Sequence, residues 1–246
     1  MKRIAALTLS IVLIIFLAGC AQKSDLTQNA TKNIVQKEGY NPVINPSDFV
    51  SEVDNTYFTL TPGSSYFYKT ETKNGSESSI VIVTYQTKKI LGVDTSEVWD
   101  RIWSNGLLIE ETLDWYAQDR DGNVWYFGES SKEYDTGGVA STEGSWEAGV
   151  DGAKPGIIMK ANPKVGDSYR QEYYAGNAED MGDVVSLGET VNVSYKTFKD
   201  CLKTKDWSKI DSTLVEYKYY CPEAGSIVLE VADSGDKTEL TNFQKQ

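Results

Sequence analysis

Trp99, Arg101, Trp103, Glu110, Asp114, Tyr116, Trp125, Phe127 and Glu129 lie close together in the chain and mix aromatic rings with charges. Two kinds of chemistry suit such a mixture. Aromatic walls with a few convergent polar groups take organic ligands or cations. Paired carboxylates can hydrolyse glycosides without His, and sugar rings stack on aromatic side chains. The absence of His rules out Ser-His-Asp catalysis and His-ligated metals. Three Cys are too few for a zinc cluster or an iron–sulfur site.

The other candidates have plainer explanations. Asp119-Arg120-Asp121-Gly122-Asn123 resembles part of a calcium loop but lacks the bidentate Glu and further acids, and reads better as a hairpin tip. Glu179, Asp180 and Asp183, behind Gly176, form either an oxygen-rich cation site or an acidic solvent loop. The glycines match no phosphate-loop spacing, and no Gly-Lys-Ser/Thr follows them. No metal and no cofactor is expected.

These residues are positioned by hairpins. Asn74-Gly75, Asn105-Gly106, Asp121-Gly122 and Gly137-Gly138 are turn signals. The expected strands are Ser79–Ile90, Ser96–Trp103, Leu107–Gln118, Asn123–Glu129, Ser168–Tyr174, Val184–Tyr195, Phe198–Asp206, Thr213–Tyr220 and Ser226–Val231. Gly144–Asn162, rich in Gly and Pro, reads as a surface loop. Two-residue turns at Asn105-Gly106 and Asp121-Gly122 would pair positions summing to 211 and 243. One face then holds Val98, Ile102, Ile109, Leu113, Trp115, Ala117, Val124 and Tyr126, interrupted by Asp100 and Glu111. The opposite face gathers all nine residues named at the outset and brings Glu110 beside Arg101 and Glu133. That face is either a ligand groove or is covered by a loop or helix.

The fold expected is all-β: a single antiparallel, strongly curved sheet or half-barrel built from hairpins. A short helix or loop could cover one side. Aromatic content of 11%, with 15 Tyr and 6 Trp, agrees with this.

The N-terminus is an address. Lys2 and Arg3 precede the apolar run Ile4–Ala18, which ends Leu17-Ala18-Gly19-Cys20. This resembles the lipobox of secreted lipoproteins. Residues 1–19 are then a lipoprotein signal peptide, with Cys20 the lipidation site. Residues 20–55 form a lipidated flexible tether and 56–246 one antiparallel β domain. With Cys20 acylated, Cys201 and Cys221 remain as a disulfide pair, suited to an oxidising compartment. Their strands should pair at positions summing to 422. The 24 Lys and Arg against 36 Asp and Glu give a net charge of −12, and no basic cluster points to nucleic acid. Asn29-Ala30-Thr31, Asn74-Gly75-Ser76 and Asn192-Val193-Ser194 are sequons, used only by a glycosylating host.

Tyr57-Phe58-Thr59-Leu60-Thr61-Pro62-Gly63 and Tyr219-Tyr220-Cys221-Pro222-Glu223-Ala224-Gly225-Ser226-Ile227-Val228 resemble the opening and closing motifs of a widespread family of secreted lipoproteins without assigned activity. The likeness extends over about Asn55 to Val231, with Thr59 and Cys221 replacing the usual Pro and Ala. These motifs are also similar to lipoprotein-carrier (LolA-like) architecture, which implies a curved sheet and a binding role. The expected protein is a non-enzymatic, lipid-anchored binding or scaffolding lipoprotein on the extracytoplasmic face of the cell membrane. Its partner would be a small molecule or another envelope component. The alternative is a carbohydrate-active enzyme.

Overall fold

Short runs of alternating side chains broken by Gly-bearing turns pair most readily with their neighbours, and most do so along the chain. The computed structural model describes residues 39–246. The expected signal segment, Cys20 and the expected tether as far as residue 38 lie outside the described residues. The first strands are β1 (Val53–Asn55), β2 (Phe58–Leu60), β3 (Ser65–Thr72), β4 (Gly75–Ile90), β5 (Val93–Ser104), β6 (Leu107–Gln118), β7 (Val124–Asp135) and β8 (Gly138–Ser141). Then come β9 (Trp146–Glu147), β10 (Lys154–Met159), β11 (Ser168–Arg170), β12 (Glu172–Tyr173) and β13 (Asp180–Asn192). The last are β14 (Thr197–Ser208), β15 (Val215–Cys221), β16 (Ser226–Ala232) and β17 (Lys237–Gln244).

β3 to β17 form one large antiparallel sheet, nearly closed into a barrel, in the order β11-β13-β14-β15-β16-β17-β3-β4-β5-β6-β7-β10-β12, with β8 and β9 on β7. The all-β, strongly curved sheet is therefore present. No α-helix occurs among the described residues; the one helical turn is the 3-10 turn Pro46–Asp48.

The sheet's two ends, β11 and β12, are consecutive in the chain with only Gln171 between them. β11 pairs with β13 through Arg170↔Met181. β12 pairs with β10 through Pro155↔Glu172. One short segment thus stitches both edges. Its backbone passes so close to Gly156 that a Cβ there would lie 2.4 Å from the Gln171 carbonyl carbon.

The Asn105-Gly106 turn has both residues at positive φ, 52° and 76°, as a type I′ hairpin requires. Leu91-Gly92 makes a similar turn at 49° and 83° without a turn-favouring first residue, so the β4–β5 turn carried no signal in the sequence.

Two expectations need correction. Gly144–Asn162 is not a surface loop, since it contains β9 and β10 and buries Trp146, Ala148, Ala153, Ile158 and Met159. Its Gly and Pro residues hide the alternation. Residues 40–55, assigned to the tether, pack on the sheet. Val50 N–H donates to the Gln118 carbonyl at 2.9 Å. Gln118 Oε1 accepts from Asp54 and Asn55 N–H at 3.0 and 2.9 Å. Phe49 lies edge-on to Trp125 and Phe127.

The β1–β2 hairpin closes one end of the inner face. Phe58 packs against Tyr116 with centroids 5.1 Å apart, among buried Val83, Val98 and Tyr220. The Cys201–Cys221 disulfide joins β14 to β15, and the pairing there is as expected, Leu202↔Tyr220 to Asp206↔Glu216. A 20-residue separation makes this bond worth ~3 kcal/mol in the chain-entropy account.

Candidate functional site

Two bulges decide which side chains share a face. β5 and β6 pair as expected at Trp103↔Leu108, then slip by one, to Ile102↔Glu110 and Trp99↔Leu113. β6 and β7 slip between Trp115 and Tyr116, giving Trp115↔Gly128 and Tyr116↔Tyr126. A one-residue slip moves a strand's side chains to the opposite face. The expected groove is therefore split. Trp99, Arg101, Trp103, Trp125 and Phe127 lie on the outer face, whereas Glu110, Asp114, Tyr116 and Glu129 lie on the inner one.

The outer set is held largely by its own neighbours. Arg101 stacks on Trp99 at 3.3 Å and pairs with Glu111 at 3.2 Å, a partner not among the expected Glu110 and Glu133. Phe127 is fully buried under the Phe49 segment. Trp125 borders an outer cleft of about 350 Å³ with Phe49 and Asp119. Asp119 accepts from Asn123 N–H at 2.8 Å and from the Trp125 indole at 2.8 Å, so its carboxylate fastens the hairpin tip. The other acidic cluster is pulled apart. Glu179 approaches Arg170 at 3.8 Å, Asp183 accepts from the Trp207 indole at 2.9 Å, and half-buried Asp180 stands opposite Ser208. Among the described residues no group of three or more Asp, Glu or Cys is placed to hold a metal ion.

The inner face is apolar at the β1–β2 end and strongly acidic at the other. The strands run in register: Asp206↔Glu216, Lys218↔Glu230 and Glu230↔Thr238 on one wall. Asp100↔Thr112 and Asp114↔Glu129 stand on the other. All are buried. Lys218 Nζ lies 3.1 Å from Asp206, 3.5 Å from Glu216 and 3.8 Å from Glu230. Gln171 Nε2 donates to Asp206 at 3.1 Å. Tyr126 Oη donates to Asp114 Oδ1 at 2.6 Å and stacks on Tyr116.

Asp100, Asp114 and Glu129 have no basic partner among the described residues. Asp100 Oδ1, Asp114 Oδ2, both Glu129 oxygens, Glu230 Oε2 and the hydroxyls of Ser79 and Thr204 lack any hydrogen-bond partner. Charge without hydration is costly, so protons are retained. Burial pushes Asp114 up to about 7, against the Tyr126 hydrogen bond and with added repulsion from Glu110. Burial likewise raises Glu216 to about 7, opposed by Lys218. Asp100, Glu129, Glu172 and Glu230 are held well above the usual carboxylate range, first by burial and then by neighbouring acids. Burial alone would lower Lys218, but Asp206, Glu216 and Glu230 raise it instead.

A cavity of about 340 Å³ opens at this acidic end. Its walls come from β3, β4, β15, β16 and β17. Glu216 and Glu230 line it, with Lys218 beside them. The sequence reading missed these two acids, together with Asp206 and Lys218, because each occupies an ordinary polar position of an alternating strand. In β15 the alternation is inverted: Tyr217 and Tyr219 face outward under Lys203, while Glu216 and Lys218 face in. Asp100, which with Glu111 interrupts the expected apolar face, was the available signal.

No family model matches this chain, and no curated protein does. Among solved structures, one described as "a putative lipoprotein from Parabacteroides distasonis ATCC 8503" superposes with a TM-score of 0.42 at 12% identity, covering 76% of this chain and 98% of the other. At this level of similarity it decides nothing about ligand or activity.

Proposed function

We propose that the chain is a lipid-anchored extracytoplasmic binding protein that takes a small polar ligand into the acidic cavity of its nearly closed sheet. The cavity carries this reading. Its volume of about 340 Å³ is within the range of small-molecule sites, and it is walled by rigid strands. The Leu17-Ala18-Gly19-Cys20 motif supports the anchor and the extracytoplasmic location, and the Cys201–Cys221 disulfide fits an oxidising compartment. A non-enzymatic role is supported by the paired carboxylates Asp114 and Glu129, which are 0% and 2% exposed and so lie out of a glycoside's reach.

Two experiments test the reading. The Cys20→Ser chain should accumulate as unprocessed precursor or leave the membrane fraction; normal processing with membrane retention refutes the anchor. A thermal-shift screen of small polar compounds should yield hits that Ala232→Trp abolishes, because Ala232 lines the cavity and the indole would fill it. Hits that all persist in the Ala232→Trp protein, or no hits at all, refute the site.

A further inference from the structure

We propose that the outer cleft beside Trp125 binds a neutral saccharide, with one pyranose ring stacked on the indole; the inference is independent of the inner cavity. Trp125 stands on β7 between Ala117 of β6 and Ile157 of β10. Its indole N–H donates to Asp119 at 2.8 Å, and Asn123 holds the same carboxylate through its backbone N–H at 2.8 Å and its Nδ2 at 2.9 Å. The ring is thus fixed before any ligand arrives, and its one polar atom is already satisfied, so it offers the cleft only carbon. The facing wall is the segment 43–49. Phe49 meets Trp125 edge-on with centroids 6.3 Å apart and forms a β-bridge with Asp119. The Arg120 N–H donates to the Asp48 carbonyl at 2.7 Å. These bonds tie the two walls together around a cleft of about 350 Å³, a volume suited to a small molecule.

The lining divides into an apolar wall and a polar rim. Val43, Ile44, Phe49 and Trp125 make the wall. Asp48 from one side, and Arg120 and Asp121 from the other, make an exposed rim of both signs. Arg120 can only donate hydrogen bonds, and the two carboxylates can only accept them. A sugar hydroxyl does both, and the C–H face of a pyranose ring supplies the apolar surface that the wall requires. A cation would meet Arg120, and an anion would meet Asp48 and Asp121. A zwitterion could pair with both signs, but ion pairs with exposed charges contribute little. The wall must therefore carry the affinity and the rim the orientation, which is the division of labour that a saccharide needs. Val43 is 89% exposed, so the cleft opens to solvent and leaves room for a glycan to continue past the stacked ring.

The test is saturation-transfer NMR and titration of the full chain, in a polyoxyethylene detergent that carries no sugar, with cellobiose, lactose and N,N′-diacetylchitobiose. Leucine is the zwitterionic control and tetramethylammonium the cationic one. At least one of the three sugars should bind saturably, with the strongest transfer to the C–H protons of one ring face. Trp125→Ala should weaken that sugar about tenfold or more. Arg120→Ala should weaken it about threefold or more, and Ala232→Trp should leave it unchanged. Arg120 is exposed, so its variant decides the matter if Trp125→Ala fails to fold by circular dichroism. Binding by none of the sugars, or sugar binding indifferent to Arg120→Ala, overturns the proposal. Tighter binding of leucine or tetramethylammonium than of every sugar overturns the ligand class. Sugar binding abolished by Ala232→Trp assigns the sugar to the inner cavity and overturns the outer cleft alone.

Discussion

The two oxygens of Asp114 are in different situations: Oδ1 accepts from Tyr126, and Oδ2 accepts from nothing. Folding raises this carboxyl's pKa to about 7, and raises Glu216 to about 7 and Asp180 to about 6. The folded state therefore holds protons that the unfolded chain has released. Stability contributed by these groups is present below pH ~4 and is lost as pH rises toward 7, at roughly 1.4 kcal/mol per pH unit per group. The melting temperature should accordingly fall between pH 5 and pH 7.5. Asp114→Asn keeps an acceptor for Tyr126 and cannot ionise, so it should flatten that slope; an unchanged slope would show that Asp114 does not titrate there. Lys218 obeys the opposite logic. Lys218→Met leaves Asp206, Glu216 and Glu230 without their cation and should cost about 3–5 kcal/mol at pH 7.5 in urea titrations. The cost should shrink at pH 5, as Glu216 and Glu230 take up protons, and an equal cost at both pH values would contradict an ion-paired core.

At the scale of strands, the seam is the point most open to attack. Gly156→Ala places a methyl group against the Gln171 backbone, which cannot yield as a side chain can. It should cost about 1–3 kcal/mol or more and make the segment 160–175 newly sensitive to protease. Wild-type resistance in Gly156→Ala would mean that the closure tolerates slack. The elements also explain what could be read from sequence. The β14–β15 pairing was legible because the hairpin is free of bulges from Leu202 to Trp207. The β5–β6 pairing was legible only as far as Trp103↔Leu108. Beyond that point a single bulged residue reverses which face each side chain occupies, and no residue type announces it. The candidate groove was lost there, and the acidic interior went unseen because inward Glu and Lys alternate with outward Tyr as regularly as in a solvated strand.

Across the whole molecule the same sheet serves as wall and as container, apolar at the hairpin-plugged end and acidic at the open end. Its pairing pattern has a further consequence, for the order of assembly. Most strands pair with a near neighbour in the chain, but β17 lies between β16 and β3, so that Lys237–Gln244 faces Ser65–Glu71 across more than half of the chain. Such distant pairing makes folding slow, because loop closure must precede the contacts that stabilise it. The halves on either side of β17 can form hairpins as they are made, yet the curved sheet cannot close until this strand arrives. A chain lacking residues 237–246 should show strand-like circular dichroism without a cooperative melt, and a cooperative melt in that truncation would disprove the dependence. For a protein proposed to cross a membrane before it functions, late completion is useful: the polypeptide stays threadable during transit and locks only on the far side.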